Sequence, residues 1–437
     1  MLNLKFDLDN RLGFFKPLNA TNGGPVHKRH SKTQWRSNFE AYKEARMPYS
    51  RNHDSGTVSA YGGPYSHDIM NIFRDFDADA NDPASYDFAC TDESILTTLE
   101  AGTKTFFRLG QTIEHQIKKH HTLPPKDFKK WAVICEHIIR HYNEGWADGF
   151  NLNIEYWEIW NEPDIVADDA AEKKTWGGTK AQFFDFYEVA AKHLKKCFPN
   201  LKIGGPALAW NEEWGNDFLA EMKKRDVEID FFSWHVYNPY PRRIMVKAER
   251  IRKMLVENGY EKAESILNEW NYLAGWTDKY IPSIEVIHSM QGAAFMMACM
   301  SCAQCSPDVD MLMYYDTRPS IFNGAFDFYT LRPLKGYYPL KWYGMFYDMV
   351  SEIRTENDDE DIYTLCGIDK SEKTLCVVTY YCAESTDKQK DVTVELKKGG
   401  KYEVYLLDEE HDGELVAKTS NLCFTMKPNS CILIKEI

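Results

Sequence analysis

The fold is decided by one stretch of the chain, Tyr156-Trp157-Glu158-Ile159-Trp160-Asn161-Glu162-Pro163-Asp164. Its aromatic and branched residues favour a short β-strand, which the proline ends directly after an Asn-Glu pair. A second segment, residues 266–270, reads Ile-Leu-Asn-Glu-Trp and places Glu269 in a similar setting. Each glutamate is therefore expected at the end of a strand, beside an asparagine and a tryptophan.

Composition limits the class of protein. The chain has 437 residues, of which 43% are hydrophobic and 14% aromatic, so it can bury a large core and predicts one big domain with a small one. A net charge of −14 without a long basic run disfavours a nucleic-acid partner. Apolar stretches are too short for a signal core or a membrane span, and eleven scattered cysteines are typical of reduced thiols. These features predict a cytoplasmic protein without a membrane partner.

Strand-like and helix-like segments alternate along most of the chain. The predicted strands are residues 13–18, 47–53, 104–109, 154–160, 201–206, 230–237, 265–270 and 309–315. The clearest helices run from the prolines at 124–125 to Tyr142 and from Thr179 to Cys197, with apolar residues at steps of three and four. No glycine-rich phosphate turn follows the first strand, which favours a (β/α)8 TIM barrel over residues 13–353 rather than an open doubly wound sheet. Both glutamates then fall at the C-terminal ends of strands, where barrels carry their chemistry.

The character of the sequence changes near residue 354. An acidic linker at 356–361 precedes short alternating segments at 374–381, 392–396, 402–407 and 431–434, with a Gly-Gly turn at 399–400. This pattern predicts a C-terminal antiparallel β-sandwich domain over residues 354–437. Residues 1–12 are predicted to add a strand to that sandwich.

Two carboxylates at strand ends are what hydrolysis of a glycosidic bond requires: one protonates the leaving oxygen and one attacks or activates water. Glu162 is expected to be the acid, because a poorly solvated site and a nearby second carboxylate disfavour its ionised form. Asn161 can hold the sugar's 2-hydroxyl group. Glu269 is expected to stay ionised and to attack, with the two carboxyl groups roughly 5 Å apart.

Other polar residues are expected to support this pair. Arg51 and Tyr237 lie at predicted strand ends and are expected to stabilise the charge of Glu269 and to orient it. His235 shares the face of Tyr237 by the two-residue period of a strand, and it is predicted, like His53, to bind sugar hydroxyls.

The chain resembles glycoside hydrolase family 39, the family of β-xylosidases and α-L-iduronidases. The matching pieces are Asn22-Gly23-Gly24-Pro25, Arg51-Asn52-His53-Asp54, residues 157–164, Gly204-Gly205-Pro206-Ala207, Ser233-Trp234-His235-Val236-Tyr237 and Asn268-Glu269-Trp270. The resemblance implies an acid/base, Glu162, at the fourth barrel strand and a nucleophile, Glu269, at the seventh. It also implies a trailing β-sandwich like that of bacterial β-xylosidases.

The eighth predicted strand departs from that resemblance. It ends Tyr314-Tyr315-Asp316, where β-xylosidases of the family usually place a tryptophan under the bound sugar. Tyr314 or Tyr315, with Phe322 or Phe326 from the following loop, is expected to replace it. Trp270, Tyr315 and Phe322 are therefore predicted substrate-binding residues.

Several residues have a plainer interpretation. Glu155 and Glu158 are interpreted as solvated carboxylates, and Arg51 could be only a structural ion-pair partner. Tryptophans 210, 214, 270 and 276 suit either the core or sugar platforms. Cys299, Cys302 and Cys305 lie in an apolar helical stretch, and the histidines at 27, 30, 120 and 121 have basic neighbours, so no metal site is predicted.

The sequence therefore predicts a retaining, exo-acting β-xylosidase that cleaves short oligosaccharides and needs no cofactor or metal ion. Homo-oligomerisation is possible. An α-L-arabinosidase or an endo-glycanase of the same clan is the nearest alternative, and a non-catalytic carbohydrate-binding protein is a more distant one.

Overall fold

The computed structural model describes residues 1–26, 37–53, 67–111, 122–384, 386–397 and 399–437. The histidines at 27, 30, 120 and 121, and Asp54, lie outside the described residues. Strand β1 (Leu2–Lys5) comes first in the chain and belongs with the C-terminal sheets.

Eight parallel strands of the described chain close into a barrel, which confirms the predicted (β/α)8 fold. They are β2 (Ala20–Asn22), β3 (Tyr49–Arg51), β4 (Lys104–Leu109), β5 (Tyr156–Ile159), β6 (Lys202–Leu208), β7 (Phe231–Tyr237), β8 (Glu264–Asn271) and β9 (Met311–Tyr314).

One predicted barrel strand was wrong. Residues 13–18 form no strand, and the first barrel strand is Ala20–Asn22. The backbone of the earlier segment bonds elsewhere: the Lys16 amide donates to the Gln304 side chain (3.0 Å), and the Gly13 carbonyl accepts from the Glu352 amide (3.0 Å). Only its end approaches the barrel among the described residues, where the Leu312 amide of β9 donates to the Pro17 carbonyl (3.4 Å), and the regular ladder begins at Ala20.

Helices surround the strands. They are α1 (Phe39–Ala45), α2 (Ile69–Ile72), α3 (Ala89–Glu100), α4 (Phe128–Glu144), α5 (Lys180–Cys197), α6 (Glu212–Lys224), α7 (Pro241–Glu257), α8 (Tyr280–Ile287), α9 (Met290–Cys305) and α10 (Tyr337–Met345), with short 3-10 helices at Pro83–Ser85 and Phe346–Asp348. Helix α4 begins at Phe128 and not at the prolines, because the Asp127 side chain caps it. Thr179 and Gln182 form a capping box at the start of α5.

Helix α9 carries the cysteine triplet. Burial raises the pKa of Cys302 to about 12 and that of Cys305 to about 11, and it raises the pKa of Cys299 well above its usual value. The chain's eleven cysteines are free of disulfides. Within the described ranges no single helix has the length and apolar composition to cross a membrane; only α8 and α9 together meet that test, as a pair bent by 80°.

The barrel interior is layered. Its lower layer is apolar and contains Ala20, Phe106, Tyr156, Phe231, Ile266, Met311 and Met313. Alternate residues of the same strands, such as Trp157, Trp234 and Leu267, point outward into the core under the helices. The layer above Tyr156 is polar, and the candidate site is built on it.

The C-terminal strands form two sheets. Strands β10 (Ser351–Ile353), β11 (Ile362–Ile368), β12 (Thr374–Tyr380), β17 (Ser430–Glu436), β14 (Tyr402–Leu407) and β15 (Asp412–Thr419) form an antiparallel six-stranded sheet in that order. Strands β1, β13 (Lys390–Glu395) and β16 (Cys423–Met426) form the other sheet, in which β1 lies parallel to β13. Leu4, Val392 and Met426 share one buried cluster with residues of the larger sheet, so the two sheets pack face to face. Strand β15 was not predicted because most of its residues are exposed and it lacks alternation.

Candidate active site

The end of β5 departs from ordinary strand geometry. Trp160 and Glu162 have φ angles of 72° and 51°, in the left-handed region that residues with a Cβ rarely adopt. The Glu162 amide donates to the Ala207 carbonyl (3.0 Å), and the Thr175 hydroxyl donates to the Glu162 carbonyl. These bonds hold a turn that aims both Asn161 and Glu162 at the barrel centre.

A β-bulge near the end of β8 likewise directs two neighbouring side chains at the barrel centre. Trp234 pairs with Leu267 but His235 pairs with Glu269, so Asn268 is an extra residue on this strand. In a regular strand, side chains alternate between the two faces, so one of these two neighbouring residues would point out of the barrel. The bulge lets Asn268 and Glu269 both point inward.

The same bulge corrects one predicted site residue. Trp270 is fully buried on the outer face of the barrel, where its ring packs against Phe295 of α9 and against Tyr314. It contacts the helix layer instead of a sugar pocket. The prediction that Trp270 binds substrate was therefore wrong.

The guanidinium of Arg51 joins the two strand ends. It is fully buried and donates to Glu158 Oε2 (2.7 Å), Glu269 Oε1 (3.0 Å) and Asn161 Oδ1 (2.7 Å). Burial lowers the pKa of Arg51, but the charges of Glu158 and Glu269 and their hydrogen bonds outweigh it and raise the pKa overall. Arg51 is thus an ion-pair partner of the predicted nucleophile itself.

Glu158 was misread from sequence as a solvated carboxylate. Its side chain is fully buried, with one oxygen bonded to Arg51 and the other accepting from the Asn268 amide (2.5 Å). The two-residue period could have found it, because Glu158 follows the inward-facing Tyr156 by two positions. Glu155, by contrast, is 41% exposed and pairs with Lys202 (2.9 Å) as a surface carboxylate would.

Glu269 has further partners on its other side. The Tyr237 hydroxyl donates to Oε2 (3.0 Å), and His53 Nε2 lies 3.5 Å from Oε1. Burial and the nearby carboxylate raise the pKa of Tyr237 well above its usual value, so the phenol stays a donor. Burial and the charge of Arg51 lower the pKa of His53 well below its usual value, so it is neutral.

His235 lies between the two glutamates. Its Nδ1 is 2.8 Å from Glu162 Oε1 and 3.4 Å from Glu269 Oε2. Burial lowers the pKa of His235 to about 4, although Glu269 acts in the opposite direction. A buried lysine of α7, Lys247, donates to the His235 carbonyl (2.8 Å) and was not predicted. Its long side chain fixes the end of β7.

The two catalytic candidates are close together. One carboxylate oxygen of Glu162, one of Glu269 and a ring nitrogen of His235 lie within 4.8 Å of one another, which is compatible with the roughly 5 Å expected between the two carboxyl groups. Such a group could in principle approach a metal ion. The Arg51 guanidinium bonded to Glu269 opposes a cation there, so the arrangement suits proton transfer and attack better.

Aromatic rings form one wall beside Glu269. Tyr315 lies against Tyr237 (6.3 Å between ring centroids) and Phe322 (5.6 Å), and Arg318 donates to its hydroxyl (2.9 Å). Tyr314 is buried in the outer core, and Phe326 packs on Tyr42, away from these rings. Of the four aromatic residues considered from sequence, the structure therefore brings Tyr315 and Phe322 to the site.

Replacing Glu158 by alanine should lower the free energy of unfolding by about 3–5 kcal/mol, because a buried guanidinium loses one of its two carboxylates. Denaturant unfolding measures this. Glu158→Gln is the matched control: it keeps the acceptor for Arg51, and its amide can donate to Asn268 Oδ1, which has no hydrogen-bond partner among the described residues. The difference between the wild type and Glu158→Gln then reports on the charge, and the further loss in Glu158→Ala reports on the hydrogen-bond acceptor. A Glu158→Ala protein as stable as the wild type would contradict the role of this ion pair.

Stability should fall in mild acid because of His235. Its folded pKa of about 4 is below the unfolded value near 6.5, so its contribution is complete above about pH 6.5 and is lost as the pH falls towards 4. Between these values it contributes up to about 1.4 kcal/mol per pH unit. Unfolding measured from pH 7 to 4.5 should show a shallower slope for His235→Asn. Replacement of the exposed His288 should leave the slope as in the wild type, and an unchanged slope in His235→Asn would refute the assignment.

Two curated proteins are similar to part of this chain. A β-xylosidase from Geobacillus stearothermophilus is 30% identical over 182 residues, which are 39% of this chain and 34% of that protein. A β-xylosidase from Caldicellulosiruptor saccharolyticus is 26% identical over 306 residues, 64% of this chain and 58% of that protein. The chain thus spans between about a third and about three fifths of the length of these curated relatives.

Solved structures share the whole fold. A glucosidase from Croceicoccus marinus has a TM-score of 0.79 at 22% identity and covers 100% of this chain and 99% of its own. A monomeric β-xylosidase from Caulobacter crescentus has a TM-score of 0.70 at 17% identity, with the same coverage. Residues 9–304, more than half of the chain, match the family model described as Glycosyl hydrolases family 39. With the barrel and the two strand-end glutamates, this match establishes that the chain belongs to glycoside hydrolase family 39.

Proposed function

We propose that this protein is a retaining, exo-acting glycoside hydrolase that releases the terminal sugar of short oligosaccharides. The observation that carries the proposal is the close approach of the two carboxylates: one oxygen of Glu162 and one of Glu269 lie within 4.8 Å of each other, and His235 Nδ1 lies within 3.4 Å of both residues. Retaining enzymes hold their two carboxyl groups about 5–5.5 Å apart, whereas inverting enzymes leave about 6.5–9.5 Å for a water molecule. The short spacing favours direct attack by a carboxylate.

Glu269 is the nucleophile in this proposal. Arg51 donates to one of its oxygens and Tyr237 to the other, and both bonds favour the ionised carboxylate. It attacks the anomeric carbon, the bond to the leaving oxygen breaks, and that oxygen takes the proton of Glu162. Glu162 then removes a proton from water, which attacks the same carbon and releases Glu269.

Glu162 is well placed to change its protonation state. The neutral His235 beside it can donate a hydrogen bond to the carboxylate or accept one from the carboxylic acid, according to its tautomer. Asn161 gives its amide oxygen to Arg51, which leaves its NH2 group for the sugar's 2-hydroxyl. That contact strengthens as positive charge develops on the sugar ring.

A β-xyloside is the substrate we propose. The two curated relatives named above are β-xylosidases, and His53, Tyr315 and Phe322 provide a polar group and an aromatic wall next to Glu269. An α-L-arabinoside is the second candidate, since solved arabinofuranosidases share this fold. The reaction needs only these side chains. A cytoplasmic location and a homo-oligomer stay predictions from the sequence.

Proton NMR of the first-formed product tests the mechanism. With an activated aryl β-xyloside, the β-anomer should appear first and then mutarotate, because two displacements restore the original configuration. The initial α-anomer would refute retention. Aryl α-arabinosides, β-glucosides, β-galactosides and β-glucuronides in the same assay identify the sugar, and a polymer cut internally would refute exo action.

The two glutamates should fail in different ways when they are replaced. Glu162→Ala should reduce kcat/KM by a factor of about 10²–10⁴ on substrates with poor leaving groups, and far less on activated aryl glycosides that need no protonation. A 2-fluoro glycoside should label Glu269 covalently, which peptide mass spectrometry locates. Glu155→Ala, directly before β5, is the matched control and should behave as the wild type. Equal losses on both substrate classes, or a label on Glu162, would show that the roles are assigned wrongly.

A further inference from the structure

A pair of aromatic residues follows β8, of which Trp276 is exposed and Tyr280 is partly buried. Trp276 lies in the loop before α8 with 63% of its surface exposed, and Tyr280 is the first residue of that helix. Their ring centroids are 6.2 Å apart and the planes differ by 23°, so the two rings are nearly parallel. Exposed apolar surface of this kind commonly marks a binding site.

These rings are continuous with the candidate active site. The Trp276 ring lies 5.2 Å from the ring of Tyr237 and 6.3 Å from that of Phe322. The Tyr237 hydroxyl in turn bonds to Glu269 at 3.0 Å. A single tyrosine therefore separates the exposed indole from the carboxylate that meets the terminal sugar.

The loop that carries Trp276 is anchored. The Ala274 amide donates to the Ser283 hydroxyl (2.9 Å), and that buried hydroxyl donates to the Lys279 carbonyl (2.6 Å). The Asn271 amide bonds to the Phe322 carbonyl (3.0 Å) and so ties the neighbouring loop to β8. The loop thus holds the Trp276 indole exposed to solvent at a fixed place, although burial of its large apolar surface would be favourable in free energy.

We propose that Trp276 and Tyr280 form a platform for the second ring of the oligosaccharide, on the leaving-group side of the scissile bond. Sugar rings carry C–H groups on their faces, which pack on aromatic rings, and hydroxyls at their edges, which stay in water. The platform rests on the proposed exo-glycosidase, in which the terminal sugar fills the site between the glutamates and the next ring lies outside. It deepens that function by selecting substrates whose leaving group is itself a sugar.

The test compares β-1,4-xylobiose with β-xylosyl fluoride, whose leaving group has no ring. In Trp276→Ala the ratio of kcat/KM for xylobiose to that for the fluoride should fall about tenfold from the wild-type ratio. Trp276→Phe should recover part of it, because a smaller aromatic face remains. Phe14→Ala is the matched control: Phe14 is 80% exposed and lies before β2, outside the C-terminal end of the barrel where the candidate site lies.

The outcomes separate this inference from the proposed function. An unchanged ratio in Trp276→Ala, or an equal fall in Phe14→Ala, would overturn the platform while hydrolysis itself stands. A wild-type protein that cleaves neither substrate would overturn the proposed function. In that case saturation-transfer NMR with xylobiose tests the platform. A xylobiose signal that is present with the wild type and lost with Trp276→Ala supports the platform. Signals that are equal in the two proteins, or absent from both, refute it.

Discussion

The buried guanidinium of Arg51 is the interaction on which the rest of the site depends. A lone charge in a barrel interior would be strongly unfavourable, so the fold must supply partners from several strands at once. Glu158 of β5 and Glu269 of β8 supply the charge, and Asn161 supplies a further acceptor. One side chain of β3 thereby fixes the relative positions of the two strand ends that carry the candidate acid and nucleophile.

Such a network requires neighbouring residues to face the same way, which regular strands do not allow. Left-handed backbone conformations at the end of β5 and an extra residue in β8 turn these neighbouring side chains to the same side. Both devices cost local stability, and both occur where side chains must converge. The asymmetry of the result matters for chemistry: Glu269 is held by Arg51 and Tyr237, whereas Glu162 contacts the neutral His235.

Much of this arrangement followed from sequence because it rests on local rules. The barrel followed from alternating strands and helices, and His235 and Tyr237 share a face as a period of two requires. The errors have physical causes. Trp270 was predicted to lie at the pocket because the amino-acid sequence does not reveal the bulge in β8. Residues 13–18 were predicted to form a strand, but their backbone bonds to Gln304 and Glu352, which lie far along the chain.

Strand periodicity and strand-end motifs are local properties, so the fold class, the two glutamates and most of the polar residues around them could be predicted from the amino-acid sequence. Three-dimensional packing was needed to show that Glu158 is a buried partner of Arg51, and that Tyr315 and Phe322, rather than Tyr314 and Phe326, line the site. It also showed that the Trp276 ring contacts the ring of Tyr237 and so lies next to the site. These facts depend on register, bulges and loop anchoring between distant segments, which no single stretch of sequence encodes.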